Sequence, residues 1–199
     1  DQHGWPVDVL DGSSIPQNGM VLWLDANDVD ADGQFDSNVD HLKVANWADK
    51  AGQDNNATQA VVAHQPQIRA GQLTERPDLN MLVFDGNQSL SFPSISQGRT
   101  FFWVLHRHVQ GNKNANYFGK KNSGLWGSNS GNQNPFRLTS GGGSQISSGN
   151  WNKNGINDVI FGVAPLVVSL VTTGMASSDL IGKRGDSEHH FIGNIGEIL

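Results

Sequence analysis

The amino-acid sequence predicts an all-β fold in which two antiparallel sheets pack as a sandwich. Short apolar runs of four to nine residues recur between turn clusters, and they are rich in the β-branched and aromatic side chains that favour strands. None of these runs continues with a helical period. Gly, Asn and Ser together provide 62 of the 199 residues, which is a composition typical of turns. Strands joined by many turns form a sandwich when each sheet buries one face against the other.

The apolar runs place the expected elements along the chain. Residues 1–18 are interpreted as an extended lead-in with one edge strand at Val7–Leu10, and residues 19–199 as a single domain. One domain of this length is reasonable because all-β sandwiches often reach about 200–250 residues. Asp40–Ala48 is compatible with one helical turn. The runs that predict the main strands are Val21–Leu24, Met81–Phe84, Phe101–Leu105, Val159–Val163, Leu166–Val171 and Phe191–Leu199.

The same runs predict the core. Because they are apolar at neighbouring positions, we expect strands that are covered on both faces. Trp47 and Trp103 are expected to be core residues, whereas Asp25, Asp49 and Asp85 lie at turns, where a carboxylate accepts backbone N–H bonds. The remaining side chains expected in the core are Leu22, Trp23, Phe84, Phe102, Val104, Ile160, Val168 and Ile195.

Composition and charge argue against several classes of protein. The net charge of -6 and the pI near 5.5 argue against a nucleic-acid partner, which selects a basic face. No run reaches the roughly 20 apolar residues of a membrane helix, so membrane insertion is not expected. The absence of Cys excludes a disulfide scaffold, a zinc ribbon and thiol catalysis. The start DQHGWPVDV is what a processed chain or an excised module would have, so we expect a monomeric module of a larger protein.

An acidic loop near the N-terminus is the most specific motif of the chain. Its pattern, D-x-D-x-D-G-x-x-D, matches positions 1, 3, 5, 6 and 9 of the EF-hand calcium loop. Alternate carboxylates on a tightly curled loop point at one centre, the glycine permits the sharp turn, and the next carbonyl oxygen can complete the set. We therefore predict calcium as the cofactor. The predicted metal ligands are Asp28, Asp30, Asp32 and Asp36 together with the backbone carbonyl of Gln34, and the glycine is Gly33.

The acidic loop differs from an EF-hand in two ways. A predicted strand, Val21–Leu24, precedes it where an EF-hand has a helix, and position 12 is Val39 instead of a bidentate Glu. The candidates to replace this Glu are Asp40, which lies one residue later, a residue of another loop, or a water molecule. The predicted calcium affinity is therefore weak, with a dissociation constant of about 10⁻⁴–10⁻³ M, as in extracellular modules.

Five segments carry a resemblance to a known family. In chain order they read LWLDANDVDADG, NWADKAGQDNNATQ, QPQIR, LVFDGNQSLSF and FIGNIGEIL, and they cover roughly residues 19–105 and 180–199. They resemble the concanavalin A-like (laminin G-like) jelly-roll domains of bacterial surface proteins. The resemblance implies a two-sheet jelly roll and is closest to the ligand-binding domains of long calcium-dependent (RTX-type) adhesins, some of which bind peptides. It thus implies an extracellular, cell-surface module whose partner is a peptide or glycan on another cell.

The ligand-binding residues are predicted in the loop-rich stretch 120–137. This stretch combines a flat aromatic platform, hydrogen-bonding amides and hydroxyls, glycines that let a ligand approach the backbone, and an arginine able to pair with a carboxylate. An alternative is that the tryptophan is buried under its own loop and the asparagines cap turns. The predicted ligand-binding residues are Trp126, Ser128, Asn129, Asn132 and Arg137.

Catalysis is not expected. Glycoside hydrolases with jelly-roll folds carry their carboxylates in an E-x-D-x-E pattern, and Glu75, Glu188 and Glu197 form no such pattern. No G-x-S-x-G elbow, P-loop or H-E-x-x-H motif is present. The alternatives to a peptide-binding module are a calcium-dependent carbohydrate-binding lectin, a structural spacer and a glycoside hydrolase.

Overall fold

The chain folds almost entirely into β-strands. The structure, a computed structural model, describes residues 15, 18–37, 41–74, 76–107, 116–121, 123–127, 149–156, 165–183 and 190–199. These residues contain no α-helix and only a short 3-10 helix, Val62–His64, so the all-β class is confirmed. No helix among them is long and apolar enough to cross a membrane. The strands are β1 Leu24–Asp25, β2 Asn46–Trp47, β3 Ala57–Thr58, β4 Gln67–Ala70, β5 Asn80–Asp85, β6 Leu90–Arg107, β7 Asn116–Lys120, β8 Ser123–Gly127, β9 Asn150–Lys153, β10 Leu166–Ile181 and β11 Ile192–Ile198.

Two long strands organise the sheet. β6 and β10 pair antiparallel from Leu105↔Leu166 to Leu90↔Ile181, with register shifts between Val171 and Leu180 of β10. The hydrogen-bonded order is β4-β5-β11-β6-β10-β7-β8, and β1 pairs with β11, β2 with β3, β3 with β6, and β9 with β10. All pairs are antiparallel, and the strands form one continuous, curled sheet. The division into the two sheets of a jelly roll stays a prediction.

The core lies on one face of the long strands. Phe101 stacks on Trp103 with ring centroids 5.6 Å apart, and Trp103 stacks on Trp151 of β9 at 6.4 Å. Across the pair of long strands, Trp103 lies opposite Val168, and Phe101 lies opposite Leu170. All five side chains are buried. Alternation of side chains along a strand therefore places the residues between them on the outer face.

The exposure of the residues on the outer face shows that part of the predicted core is wrong. Phe102, expected inside, is 43% exposed, and Val104 is only partly buried. The expectation that these strands are covered on both faces is also wrong for β10, where Val167 and Val171 are 50% and 44% exposed. The run FFWVL is apolar at every position, so it contains no alternation that would show which residues face inward. Ile160 lies outside the described residues.

The remaining core predictions are confirmed. The predicted core residues found buried are Leu22, Trp23, Trp47, Phe84, Trp103, Val168 and Ile195. Of the run Val21–Leu24, only Leu24 belongs to a strand, and the segment interpreted as a helical turn instead contains the strand β2. The expected strands at Val7–Leu10 and Val159–Val163 lie outside the described residues.

Candidate metal centre

The acidic loop begins at the end of β1 and brings three carboxylates together. One carboxylate oxygen from each of Asp28, Asp30 and Asp32 lies within 4.8 Å of the others. Asp28 is 3% exposed, whereas Asp30 and Asp32 face solvent. A cluster with one buried anchor and two accessible carboxylates could hold a metal ion that enters from solvent.

Backbone N–H groups of the loop orient these carboxylates. Asp28 Oδ1 accepts a hydrogen bond from the N–H of Asp32 at 3.0 Å, and its Oδ2 accepts one from Gly33 at 3.1 Å. Asp30 Oδ1 accepts from the Asp32 N–H at 3.2 Å, and Asp32 Oδ1 accepts from the Gln34 N–H at 2.8 Å. Gly33 has a φ of +84°, a backbone conformation that glycine adopts without strain. The turn predicted from the D-x-D-x-D-G spacing is therefore formed.

Neighbouring strands hold the loop in place. The backbone N–H of Asn80, the first residue of β5, donates to Asn27 Oδ1 at 2.9 Å. The Asn80 side chain donates to the carbonyl of Asp36 at 2.8 Å. The N–H of Ala48 donates to the Val29 carbonyl at 2.8 Å. These hydrogen bonds attach both ends of the loop to neighbouring structure. They therefore hold the loop in the conformation that brings its carboxylates together.

The fourth predicted carboxylate, Asp36, is positioned differently. Its Oδ2 accepts a hydrogen bond from the Val29 N–H at 2.6 Å, and it is not part of the group of three. Burial raises its pKa, and the nearby charges of Asp30, Asp28 and Asp32 raise it further, against the lowering effect of the Val29 bond. Asp36 as a ligand stays a prediction, as does the Gln34 carbonyl. Positions 39 and 40 lie outside the described residues.

A lysine that the sequence analysis did not single out contacts the loop. Lys50 Nζ lies 2.8 Å from Asp28 Oδ2 and 3.1 Å from Asp25 Oδ2. It also lies 4.7 Å from the ring centroid of Trp23, within cation–π range. Burial lowers the pKa of Lys50, but the hydrogen bonds and charges of Asp28 and Asp25 outweigh this effect and raise it overall.

A buried carboxylate completes this cluster. Glu197 of β11 lies opposite Asp25 in the β1–β11 pair, and its Oε1 accepts a hydrogen bond from Trp23 Nε1 at 2.9 Å. Burial raises the pKa of Glu197, and the charge of Asp25 adds to the increase, although Trp23 and Lys50 act against it. The motifs LWLDA, WADK and IGEI, separate in the sequence, thus meet beside the acidic loop.

The turn that carries Lys50 is itself held by a carboxylate. Asp49 Oδ1 accepts from the N–H groups of Trp23 at 2.8 Å and Ala51 at 3.0 Å, and its Oδ2 accepts from Asn55 at 3.1 Å. This confirms the predicted turn role of Asp49. The backbone N–H of Lys50 donates to the Trp23 carbonyl at 2.8 Å. Backbone hydrogen bonds therefore hold the turn from which the Lys50 side chain reaches Asp25 and Asp28.

The predicted ligand-binding residues fall mostly outside the described part of the chain. Trp126 belongs to β8, where it lies opposite Phe118 of β7. Ser128, Asn129, Asn132 and Arg137 lie outside the described residues, so their role stays a prediction.

The cavities among the described residues include one large and one small example. A cavity of about 530 Å³ is lined mainly by apolar side chains, with Arg99 among them. A smaller cavity of about 170 Å³ lies directly beside the acidic loop, between Asp30 and Asp36 on one side and Lys43 and Asn46 on the other.

Comparison of the chain with protein-family models, with curated proteins and with solved structures found no match. The resemblance to concanavalin A-like domains therefore stays a prediction.

Proposed function

We propose that this chain is a calcium-dependent ligand-binding module of a bacterial surface adhesin, working outside the cell. Its partner in this proposal is a peptide segment of a target-cell or biofilm protein. The observation that carries the proposal is the grouping of the Asp28, Asp30 and Asp32 carboxylates within 4.8 Å, on a loop with calcium-loop spacing. No catalytic residue is proposed.

Calcium is the cation that suits this loop best. It takes six to eight oxygen ligands in a flexible arrangement, whereas magnesium is smaller and demands near-ideal octahedral geometry. The loop offers carboxylate oxygens from Asp28, Asp30 and Asp32, and its exposed side is accessible to water. With no bidentate Glu at position 12, a dissociation constant of about 10⁻⁴–10⁻³ M is expected. Millimolar extracellular calcium would fill such a site.

The role proposed for calcium is to stiffen one end of the sheet. The loop is hydrogen-bonded to β5 through Asn80 and ion-paired to the following turn through Lys50. A cation bound to the native loop stabilises the folded domain by mass action, because the unfolded chain does not hold the same ligands together. A rigid sheet then presents its loops for ligand binding.

Peptide and glycan arrays, probed with the intact chain in calcium and in chelator, test this function. We expect calcium-dependent binding to peptides, and loss of that binding in Asp30→Ala, which removes an exposed carboxylate of the cluster. Calcium-dependent binding to glycans alone would replace the peptide-binding proposal with a lectin. Absence of binding to both arrays in calcium would leave a structural spacer and refute the proposal.

A further inference from the structure

Lys50 is unusual among the groups around the loop because it supplies a positive charge at the place where a cation is proposed to bind. Its side chain is only 17% exposed and contacts two carboxylates, Asp25 and Asp28. The contact to Asp28 is the shorter, at 2.8 Å, and Asp28 is the buried member of the three-carboxylate cluster. An exposed surface ion pair, by contrast, must hold two mobile side chains in one geometry.

We infer that Lys50 is an internal counter-cation of the acidic loop, which holds the loop folded without metal and weakens its affinity for a divalent cation. This inference rests on the proposed function, because it concerns regulation of the same site. It assigns to Lys50 a role in setting the calcium affinity, which the calcium-loop spacing does not indicate. The residue itself is not proposed as a metal ligand.

Geometry places the ammonium group close to any metal on Asp28. Oδ2 of Asp28 already accepts bonds from Lys50 and from Gly33, while Oδ1 accepts one from Asp32. A calcium ion binds a carboxylate oxygen at about 2.3–2.6 Å, so it would lie within about 8 Å of the ammonium nitrogen. This is no longer than the Debye length at physiological ionic strength, so salt does not screen the repulsion completely.

The repulsion is large enough to measure. Two unit charges 4 Å apart in water interact by about as much as a fivefold change in a binding constant, and a divalent ion doubles the interaction energy. Greater separation weakens this repulsion, and the partly buried position of Lys50 strengthens it. Removal of the charge is therefore expected to tighten calcium binding about tenfold.

The same charge stabilises the metal-free loop. Without it, Asp25 and Asp28 would lie near each other, and Asp25 near Glu197, with no counter-ion among the contacts described for them. Removing one partner of a partly buried ion pair leaves uncompensated charge and destabilises the fold. Calcium would then supply the missing positive charge, so the stability lost in chelator would be recovered when calcium is added.

Calcium titration of chelator-treated chains by calorimetry tests the inference. Lys50→Met and Lys50→Gln remove the charge, and the glutamine variant keeps a hydrogen-bond donor if the methionine variant folds poorly. Lys50→Arg keeps the charge. Lys120→Met is the matched control, because the Lys120 ammonium donates to Ser177 Oγ on β10 and its loss changes the net charge equally.

The inference expects calcium to bind the two neutral variants about tenfold more tightly, and the arginine and control variants within about twofold of the natural chain. It also expects Lys50→Gln to melt at a lower temperature than the natural chain in chelator, and expects calcium to remove this difference. Equal affinities in the natural chain and the neutral variants, or equal losses of melting temperature with and without calcium, would make Lys50 merely structural and overturn the inference.

If neither the natural chain nor the neutral variants bind calcium, the proposed function fails as well. Binding by the neutral variants alone would refute only the proposed function.

Discussion

At the scale of single residues, the site is a balance between like charges and the groups that keep them together. Asp28 is buried and accepts three hydrogen bonds, two from the backbone and one from Lys50. Asp30 and Asp32 have backbone donors but face solvent. The exposed pair is therefore the side from which a metal could enter, and Asp28 is the buried anchor.

Replacing Asp30 by alanine should abolish the stabilisation that calcium provides. At calcium ten times above the dissociation constant, a single site stabilises the native state by about 1.4 kcal/mol. For a chain of this size, that corresponds to about 3–6 °C in melting temperature. Thermal unfolding in calcium and in chelator should show the shift in the natural chain and none in Asp30→Ala.

Asp78→Ala serves as the control for loss of a carboxylate. Asp78 pairs with Arg76 at 2.9 Å on the exposed surface and has no contact with the loop among its described partners. Its replacement should leave the calcium-dependent shift unchanged. A natural chain that melts at the same temperature with and without chelator would count against the metal site.

Glu197 should make the metal-free protein less stable as the pH rises. Its pKa is raised above the ordinary value of 4.5, so the folded state binds the proton more tightly than the unfolded state does. The stabilisation from the protonated form is present at low pH and is lost as the pH rises from 4.5 through the folded-state pKa. Glu197→Gln retains an acceptor for Trp23 Nε1 and removes the titration.

Urea unfolding in chelator at several pH values measures this effect. Relative to Glu197→Gln, the natural chain should lose free energy of unfolding as the pH increases above 4.5. A difference between the two proteins that does not vary with pH would show that burial of Glu197 does not favour its protonated form.

Residue spacing predicted part of the site and not the rest. The D-x-D-x-D-G pattern predicts that Asp28, Asp30 and Asp32 converge, because alternate side chains on a curled loop face one centre. Lys50 has no local signal of this kind. Its contacts with Asp25 and Asp28 are long-range, and they depend on the turn that the hydrogen bond from the Trp23 N–H to Asp49 holds in place.

At the scale of elements, the long strands determine what is buried. β6 and β10 pair along most of their length and alternate between core and exterior. The sequence predicted where these strands lie because apolar runs bounded by turn residues are typical of strands. It could not predict their facing, since a run such as FFWVL is apolar at adjacent positions and the side chains of the partner strand decide which residues are covered.

Two adjacent phenylalanines test this facing directly. Phe101 is buried against Trp103 and Phe118, whereas Phe102 is 43% exposed on the other face of β6. Phe101→Ala should cost about 3–5 kcal/mol of unfolding free energy, as expected for a cavity in a packed core. Phe102→Ala should cost less than about 1 kcal/mol, as at a partly exposed position. Equal costs in urea unfolding would contradict the facing of β6.

At the scale of the whole molecule, the acidic loop and the segments that support it come from both ends of the chain. The loop follows β1, its counter-charge lies on the turn after β2, and Glu197 lies on β11, the last strand. Antiparallel pairing of β1 with β11 brings these segments together. Such pairing depends on contacts far apart in the sequence, so local patterns could not predict it.

Variants of the proposed ligand-binding region test whether ligand and calcium bind at separate places in the molecule. Trp126→Ala and Asn129→Ala should each weaken ligand binding on the arrays, because stacking on the indole and hydrogen bonds to the amide are lost. The calcium-dependent shift in melting temperature should remain nearly intact in both variants. Normal binding by both variants, or unfolding of the domain in Trp126→Ala, would place the ligand elsewhere.

Calorimetric titration of the chelator-treated chain with calcium tests the central claim most directly. We expect saturable binding with a dissociation constant of about 10⁻⁴–10⁻³ M. Asp30→Ala should bind no calcium under the same conditions, while Asp78→Ala should bind it as the natural chain does. If the natural chain shows no saturable binding at millimolar calcium, or if Asp30→Ala binds equally well, the acidic loop is not a calcium site.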